Sequence, residues 1–293
     1  MQRRMLIGLI GANIQKSLSP LLHEDAMAAA GIRCHYHLMD LDQLPGRGLA
    51  DLLAAARTAG FAGVNITYPC KQSVMPLLDH VSAEARQIGA INTVTIASDG
   101  RTQGFNTDRL GFRSAFVEAF GGDAARGKTV LLVGAGGAGR AVAFALFDLG
   151  VQTVLVSDQD PAQAGRLSAA LNANFGAGRA GVETEVKVAL ARASGAVNAT
   201  PVGMSGIPGF PIPVDAITSS HWVADVVYTP LETELIKAAR AKGAKVMGGA
   251  GMCVHQAAEA FRLFTGISPD LNRMHRVFAE AAAVRDESLG EEV

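Results

Sequence analysis

The chain has 293 residues, of which 49% are hydrophobic and 18% charged, and its formal net charge is −1 at pH 7. This composition and length are typical of a folded globular protein with two domains, and the balanced charge argues against binding nucleic acid or an anionic membrane through a broad basic surface. The three cysteines are widely separated, which excludes a disulfide framework, and no apolar run approaches the ~18 residues of a membrane helix, so we expect a cytoplasmic protein.

Strand-like and helix-like segments alternate along the first third of the chain. Short apolar runs predict strands, and longer amphipathic runs that end at glycine predict helices. The predicted strands are residues 5–11, 35–41, 63–67, 93–97 and 102–105, and the predicted helices are residues 20–30 and 48–59. The alternation predicts an α/β fold with a largely parallel sheet, and residues 98–101 indicate a hairpin between the last two strands.

A second alternating unit begins near Lys128. Strands are predicted at residues 129–133, 151–157, 196–199, 222–227 and 244–247, with a helix at 140–149 between the first two. A helix at 109–120 precedes this unit, and amphipathic helices at 253–265 and 271–285 follow it. These elements predict a second α/β domain with a parallel sheet.

A glycine-rich loop joins the first strand of the second unit to its first helix. The pattern G-x-G-x-x-G is matched by Gly134, Ala135, Gly136, Gly137, Ala138 and Gly139. After a strand and before a helix, this pattern is typical of a Rossmann-type dinucleotide-binding domain. Gly134 would permit a tight turn, Gly136 would let the backbone approach the pyrophosphate, and Gly139 would allow close helix–strand packing. The alternative is a glycine turn that binds no ligand.

Asp158 bears on the choice of dinucleotide, because it stands 19 positions past Gly139 at the end of the next strand. A carboxylate there can accept hydrogen bonds from both hydroxyls of the adenine ribose but repels a 2′-phosphate. No Lys or Arg lies between Ser157 and Gly165. The sequence therefore predicts NAD in preference to NADP, with a solvent-facing Asp at a strand end as the alternative.

Polar side chains gather at the ends of the predicted elements in the first third. They are Ser17, Ser19, Asn65, Thr67, Lys71, Asn92 and Asp108. Each has an ordinary explanation, because Ser19 could cap a helix, Lys71 could be a solvated surface charge, and Asp108 suits a helix N-terminus. Together they offer a set of donors and acceptors that is apt for a polyhydroxylated carboxylic acid.

The order of these motifs resembles the shikimate dehydrogenase family over essentially the whole chain, and more closely its NAD-dependent quinate/shikimate dehydrogenase branch. The motifs are Ser17-x-Ser19-Pro20, Asn65-x-Thr67-x-Pro69-x-Lys71, residues 89–93, 106–108 and 134–139, Asn198-Ala199-Thr200-Pro201-x-Gly203-Met204, and residues 225–230 and 251–257. The resemblance implies reversible oxidation of shikimate to 3-dehydroshikimate, and also or instead oxidation of quinate to 3-dehydroquinate. It links the chain to aromatic amino acid biosynthesis or to quinate catabolism. At residues 157–159 the chain departs from the pattern of the NADP-using enzymes, which favours NAD.

The resemblance also implies a fold and a role for each site residue. It implies a substrate-binding and catalytic domain of residues 1–107, completed by C-terminal helices at 252–293, and an NAD-binding Rossmann domain of residues 108–251, with the active site in the cleft between them. Lys71 and Asp108 would form the catalytic pair, with Lys71 accepting the proton of the alcohol. Ser17 and Ser19 would bind the substrate carboxylate. The other substrate-binding residues would be Asn65, Thr67, Asn92, Tyr228 and Gln256, and the nicotinamide side would be lined by Thr200, Met204, Gly251 and Met252.

Two other functions remain open at this point. One is a dehydrogenase of a related cyclic hydroxy acid such as an aminoshikimate, and the other is a non-enzymatic NAD-binding regulator, against which the presence of both Lys71 and Asp108 speaks. A metal is not expected, because His35 and His37 have no cysteine or acidic residue at ligand spacing. We expect a monomer or homodimer whose partner is a small-molecule substrate, with neither nucleic acid nor membrane as a partner.

Overall fold

Two β-sheets organise the chain, one in each of two compact units. The computed structural model describes residues 3–291, so residues 1–2 and 292–293 of the predicted substrate-binding domain lie outside the described residues. Unit 1 comprises the residues up to Thr107 together with Val254–Ala281, and unit 2 comprises Asp108–Cys253 together with the residues from Ala282 onwards. Among residues 3–291, no helix combines the length and the hydropathy needed to cross a bilayer.

Unit 1 is built on a six-stranded sheet. Its elements are β1 (Arg4–Gly11), α1 (Ser19–Ala29), β2 (Arg33–Asp40), α2 (Leu49–Thr58), β3 (Gly63–Ile66), β4 (His80–Val81), α3 (Ala83–Ile88), β5 (Thr93–Ile96) and β6 (Thr102–Phe105). The strand order is β2-β1-β3-β5-β6-β4. The apolar residues that predicted the strands form the core, in which Ile10, Val64, Ile66 and Val94 are buried.

The sheet of unit 1 is mixed rather than largely parallel. β1 is parallel to β2 and to β3, and β4 is parallel to β6, whereas β5 runs antiparallel to both β3 and β6. The expected parallel pairing holds for β1 with β2 and β3, and the expected hairpin makes β5 antiparallel to β6, whereas the antiparallel pairing of β5 with β3 was not predicted. β5 and β6 are antiparallel because the turn between them is short, and a parallel connection needs a crossover of a dozen or more residues.

Unit 2 contains a second sheet of six strands, all parallel. Its elements are α4 (Asp108–Phe120), β7 (Thr129–Val133), α5 (Gly137–Asp148), β8 (Thr153–Ser157), α6 (Pro161–Phe175), β9 (Ala180–Val182), α7 (Val186–Ala191), β10 (Gly195–Asn198), β11 (Trp222–Asp225), α8 (Glu234–Ala241) and β12 (Lys245–Met247). The strand order is β9-β8-β7-β10-β11-β12. Numbered within the unit, this order is 3-2-1-4-5-6, the order of the Rossmann fold. The predicted α/β fold with a Rossmann-type domain is confirmed.

Two closing helices complete the chain, α9 (Ala250–Thr265) and α10 (Leu271–Glu291). The division between the units falls within each of them. Local capping explains where several other helices begin: the side chain of Asp160 accepts from the backbone N–H of Ala162 ahead of α6, whose first residue is Pro161, and Thr233 caps α8 in the same way.

Candidate active site

In unit 1, the strand ends that carry the predicted substrate residues meet at one edge of the sheet. The strand register pairs Ile10 with Ile66, Asn65 with Thr93, and Thr93 with Phe105. The carboxyl ends of β1, β3 and β6 therefore lie beside the start of β5. The segments that leave or enter the sheet at this edge carry Ser17, Ser19, Thr67, Lys71, Asn92 and Thr107.

The two serines lie next to each other at the start of α1. Ser17 Oγ donates to Ser19 Oγ at 3.2 Å and accepts from the backbone N–H of Ser19 at 3.2 Å. The N-cap position is occupied by Leu18 without a side-chain cap, so Ser19 is the first residue of the helix and not its cap. Two neighbouring hydroxyls are suited to donate to the two oxygens of one carboxylate.

A buried carboxylate, Asp40 at the end of β2, holds the loop that leads to the serines. Asp40 Oδ1 accepts from the backbone N–H of Asn13 at 3.2 Å. Asp40 Oδ2 accepts from the backbone N–H of Ile14 at 3.1 Å and from Gln15 Nε2 at 2.9 Å. Burial alone would raise the pKa of Asp40, but these hydrogen bonds outweigh it and the pKa is lowered. Asp40 was not predicted as a site residue, since its only signal in the sequence is its place at the end of a strand.

Asn65 is buried, and most of its amide is already engaged inside unit 1. Asn65 Oδ1 accepts from the hydroxyl of Tyr36 at 2.9 Å. Asn65 Nδ2 donates to Thr93 Oγ1 at 3.1 Å and to the backbone oxygen of Asn92 at 3.3 Å. One acceptor lone pair of Asn65 Oδ1 therefore remains for another donor. Tyr36 was also missed from the sequence, because its partner stands 29 positions away.

Lys71 lies in the turn that leaves β3. The backbone N–H of Thr67 donates to Ile10 at 2.9 Å, which fixes the start of the turn, and the backbone oxygen of Lys71 accepts from Ile91 at 2.7 Å. Lys71 is half-buried. The turn is thereby anchored directly beside Asn92.

Asn92, Thr107 and Gln256 form a hydrogen-bonded group at the same edge. Asn92 Nδ2 donates to Thr107 Oγ1 at 2.8 Å, and Asn92 Oδ1 accepts from the backbone N–H of Thr107 at 2.8 Å. Gln256 Oε1 accepts from Asn92 Nδ2 at 3.4 Å and from Thr107 Oγ1 at 3.5 Å. Helix α9 thus brings Gln256 to this edge from a distant part of the chain. Asp108 follows Thr107 directly and is the buried first residue of α4 in unit 2.

In unit 2, the glycine loop between β7 and α5 requires glycine at two positions. Gly134 has a φ of +104°, and a Cβ there would lie 2.7 Å from the backbone of Ala199. A Cβ on Gly139 would lie only 1.9 Å from the oxygen of Gly134. By contrast, no atom lies within 4 Å of a Cβ built on Gly136, which is the N-cap of α5. The open side of the loop is therefore the side from which a ligand can approach the first N–H groups of α5.

Asp158 lies at the end of β8 against this loop. Asp158 Oδ2 accepts from the backbone N–H of Ala135 at 2.7 Å, and Oδ1 accepts from the backbone N–H of Asp160 at 2.8 Å. Each oxygen can accept a second hydrogen bond. The carboxylate is thus fixed in place while it keeps capacity for two more donors.

Two arginines, Arg140 and Arg166, stand on the helices that precede and follow β8 in the chain. Arg166 Nη2 lies 3.7 Å from Asp160 Oδ2. Burial lowers the pKa of Arg140 on α5, and the positive charge of Arg166 lowers it further. Neither arginine could be predicted from the segment between Ser157 and Gly165, because Arg140 belongs to α5 and Arg166 lies just beyond that segment on α6.

A second loop of unit 2 follows β10, which pairs directly with β7 where the strand order reverses. Thr200 Cγ2 would lie 3.0 Å from a Cβ on Gly134, so the two loops touch. The backbone N–H of Met204 donates to Pro201 at 3.0 Å and closes a turn. In open parallel sheets, ligands bind beyond the carboxyl ends of the strands at such a reversal point.

The remaining predicted residues of unit 2 lie at the ends of β11 and β12. Gly251 and Met252 belong to the first turn of α9, and a Cβ on Gly251 would lie 3.1 Å from that of Ala115. The backbone oxygen of Tyr228 accepts from Arg285 Nη2 at 2.8 Å. Burial raises the pKa of the Tyr228 phenol, so this group is a hydrogen-bond donor at neutral pH.

Comparisons with known proteins bear directly on these assignments. Residues 9–94 match the model of the shikimate dehydrogenase substrate binding domain, and residues 249–277 match that of the shikimate 5'-dehydrogenase C-terminal domain. The chain is 48% identical to a quinate/shikimate dehydrogenase (NAD(+)) of Corynebacterium efficiens, over 94% of this chain and 97% of the relative. It is also 48% identical to a shikimate dehydrogenase (NADP(+)) of Streptomyces avermitilis, over 96% of this chain and 97% of the relative.

A solved structure extends the likeness to the fold. The quinate dehydrogenase from Corynebacterium glutamicum in complex with NAD superposes with a TM-score of 0.88 at 44% identity, covering 95% of this chain and 99% of that one. The predicted resemblance and the predicted enzyme class, a dehydrogenase, are confirmed by these matches. At such identity over nearly the full length of the relatives, the chain belongs to the shikimate dehydrogenase family.

Proposed function

We propose that this chain is an NAD-dependent dehydrogenase that oxidises shikimate to 3-dehydroshikimate reversibly and also accepts quinate, giving 3-dehydroquinate. The observation that carries the proposal is the edge of the unit 1 sheet, where hydroxyl, amide and ammonium groups gather from segments far apart in the sequence. Such a set of groups suits a small ring that bears several hydroxyls and a carboxylate. The names of the relatives, which include both quinate and shikimate, support the same two substrates.

In this proposal, different side chains of unit 1 bind different groups of the substrate. Ser17 and Ser19 bind the carboxylate through their adjacent hydroxyls. The ring hydroxyls are bound by Thr67, Asn92 and Gln256, with the remaining lone pair of Asn65 as a further acceptor and with Tyr228 of unit 2 as a donor. Because Asn92 and Gln256 are already bonded to Thr107, their amides are oriented before the substrate arrives, which lowers the entropic cost of binding.

Lys71 and Asp108 supply the acid–base chemistry of the proposed reaction. Bound NAD would act as the hydride acceptor. Oxidation of a secondary alcohol also releases the hydroxyl proton, and Lys71 Nζ takes it up; in the reverse direction the same nitrogen returns a proton to the oxygen. Asp108 is buried and its backbone follows a segment that is fixed through Asn92, and we assign its carboxylate the role of orienting the reacting hydroxyl.

The residues of unit 2 suit NAD better than NADP. The open side of Gly136 leaves space for a pyrophosphate at the start of α5, and Asp158 has capacity to accept from both ribose hydroxyls. Its negative charge opposes a 2′-phosphate, whereas Arg140 and Arg166 favour one. Because Asp160 partly neutralises Arg166, we assign the deciding role to Asp158.

The proposal is tested by measuring NAD and NADP reduction with shikimate and quinate at matched concentrations, in the wild-type protein and in Lys71→Ala. General acid–base catalysis typically contributes roughly 10²–10⁴-fold, so kcat of Lys71→Ala should fall by that factor while NADH binding persists. Lys16→Ala, which removes an exposed lysine from the same unit, is the matched control and should keep its kcat. Near-normal turnover of Lys71→Ala would refute its role as the base.

The measurement on the wild-type protein also distinguishes the proposed function from two alternatives, a dehydrogenase of a related cyclic hydroxy acid and a non-enzymatic NAD-binding regulator. Turnover with an aminoshikimate or another cyclic hydroxy acid, but with neither shikimate nor quinate, would move the substrate to that class. Binding of NADH without turnover of any hydroxy acid in a broad panel would favour a regulator.

A further inference from the structure

We propose that Asp225 and Asn198 act as a positioning pair that fixes the loop after β10 on the cofactor side of unit 2. This inference rests on the proposed function, because it assigns these residues to a loop that we place at the nicotinamide end of NAD. Neither residue touches cofactor or substrate in the proposal. Their part is to hold the segment Ala199 to Val202 in one conformation.

The two residues are paired directly by the sheet. Asn198 ends β10 and Asp225 ends β11, and the strand register places one opposite the other. Both are fully buried, at 0% exposure. Asn198 Nδ2 donates to Asp225 Oδ1 at 2.9 Å. The carboxylate thus fixes which way the amide of Asn198 faces, because only the NH₂ side of the amide can donate to it.

The fixed amide then holds the following loop through three hydrogen bonds, two to its backbone and one to the hydroxyl of Thr200. Asn198 Oδ1 accepts from the backbone N–H of Thr200 at 2.9 Å and from Thr200 Oγ1 at 2.7 Å. Asn198 Nδ2 donates to the backbone oxygen of Val202 at 3.1 Å. Thr200 also lies against Gly134, so its position is fixed from the side of β7 as well as by Asn198.

Asp225 is itself held from two further directions. Its Oδ1 accepts from the backbone N–H of Val227 at 3.0 Å, and its Oδ2 accepts from Thr233 Oγ1 at 2.7 Å. Burial raises the pKa of Asp225 to about 6, although these hydrogen bonds oppose the shift. A buried carboxylate is a costly way to stabilise a fold, and apolar residues of similar size often serve as well. Its place beside β10, the strand that adjoins the strand-order reversal, and its bond to the amide that holds the loop point to positioning as its use.

The test uses Asp225→Ala, with Asp225→Asn as the conservative variant and Asn172→Ala as the matched control. Asn172 also holds backbone through its amide, donating to the oxygen of Ala180 at 2.9 Å and accepting from its N–H at 3.0 Å, but it acts on β9 and not on the loop. For each protein we would measure kcat with shikimate, the Kd for NADH, the Kd for ADP-ribose and the urea midpoint. ADP-ribose lacks the nicotinamide ring but keeps the adenosine, the pyrophosphate and the second ribose, so its affinity leaves out only the contacts of that ring.

We expect Asp225→Ala to weaken NADH binding and to lower kcat by roughly 10–100-fold, the size expected for a displacement of about 1 Å in a site. Its Kd for ADP-ribose should stay within about twofold, since the contacts of the adenosine and the pyrophosphate are remote from Asp225. Asp225→Asn keeps an oxygen for Asn198 and Val227, so it should recover most of the loss. Asn172→Ala should lower the urea midpoint without changing kcat or the Kd for NADH.

Two results would refute the positioning role of Asp225 and Asn198. The first is an equal loss of affinity for NADH and for ADP-ribose in Asp225→Ala, and the second is a kcat and a Kd for NADH in that variant that equal those of the wild type. If Asp225→Ala does not fold, Asn198→Ala carries the same test, because it removes the bonds to Thr200 and leaves Asp225 its other two donors. A wild-type protein that neither binds NADH nor turns over shikimate would refute the proposed function instead, so the two failures are distinguishable.

Discussion

Two alanine substitutions in the glycine loop of unit 2, Gly139→Ala and Gly136→Ala, can separate its role in packing from its role in binding a ligand. In Gly139→Ala, the new Cβ would lie 1.9 Å from the oxygen of Gly134, whereas real Cβ atoms essentially never approach closer than 3.0 Å. Helix α5 and the end of β7 must therefore separate by about 1 Å, which in a well-packed region costs about 1–3 kcal/mol of the free energy of unfolding. The same shift displaces the first N–H groups of α5, so the affinity for NADH should also fall.

Gly136→Ala makes the matched comparison. Its φ is −70°, which any residue can adopt, and its Cβ would meet no atom within 4 Å. The loss of stability should stay within about 1 kcal/mol, the usual cost of alanine at an N-cap. If a pyrophosphate approaches this backbone as we propose, the methyl group occupies its space, and the Kd for NADH should rise by roughly tenfold or more, which equals about 1.4 kcal/mol.

Urea unfolding and titration of NADH fluorescence together give both quantities for each variant. A Gly136→Ala protein that binds NADH as tightly as the wild type would show that the pyrophosphate does not lie on this loop, and the glycine turn without a ligand would become the better explanation. A Gly139→Ala protein as stable as the wild type would refute the packing argument, because the close approach would then be relieved at no cost.

Two further predictions concern the dinucleotide and the acid sensitivity of unit 1. Asp158→Ala removes the charge that opposes a 2′-phosphate and leaves Arg140 and Arg166 nearby, so kcat/KM for NADP relative to NAD should rise by roughly tenfold or more; an unchanged ratio in the spectrophotometric assay would contradict the assignment. Burial lowers the pKa of His23 from 6.5 to about 4. Because the unfolded chain binds this proton between pH 7 and pH 5 and the folded protein does not, His23 should cost the folded protein about 2 kcal/mol over that range as the pH falls. His23→Leu should lose that part of the pH dependence in urea unfolding, and equal pH dependence in both proteins would argue against it.

The strand limits were predicted best where the run or its boundary leaves few alternatives. β7 begins and ends at the predicted residues because its run is unbroken and apolar, and β6 does so because the predicted hairpin turn at residues 98–101 precedes it. The short strands β4 and β9 and the helices α3, α6, α7 and α8 were not predicted. For α6 a signal was present, since Asp160 and Pro161 form a cap followed by a first-turn proline. β9 has three residues, too few for any periodicity to show.

The candidate site was less predictable than the fold, and the reason lies in the distances along the chain that its hydrogen bonds span. The polar residues themselves could be found, since they stand next to strand ends and in ordered motifs. Their partners could not, because whether Tyr36 reaches Asn65 depends on how β2, β1 and β3 are aligned in the sheet. A sequence pattern shows which face a side chain takes but not the register of its neighbours.

The same arrangement recurs in both units and suggests what the buried polar residues at strand ends are for. In unit 1 Asp40 ends β2 and holds the loop before Ser17, and in unit 2 Asp225 ends β11 and, through Asn198, holds the loop at Thr200. In each case a carboxylate is buried, which is costly. It accepts hydrogen bonds from backbone N–H groups or from an amide and thereby fixes their orientation. An apolar side chain at either position could fill the space but could not choose one loop conformation among several. Loops that must present groups to a small substrate therefore gain more from an oriented buried acceptor than the fold would gain from another apolar contact.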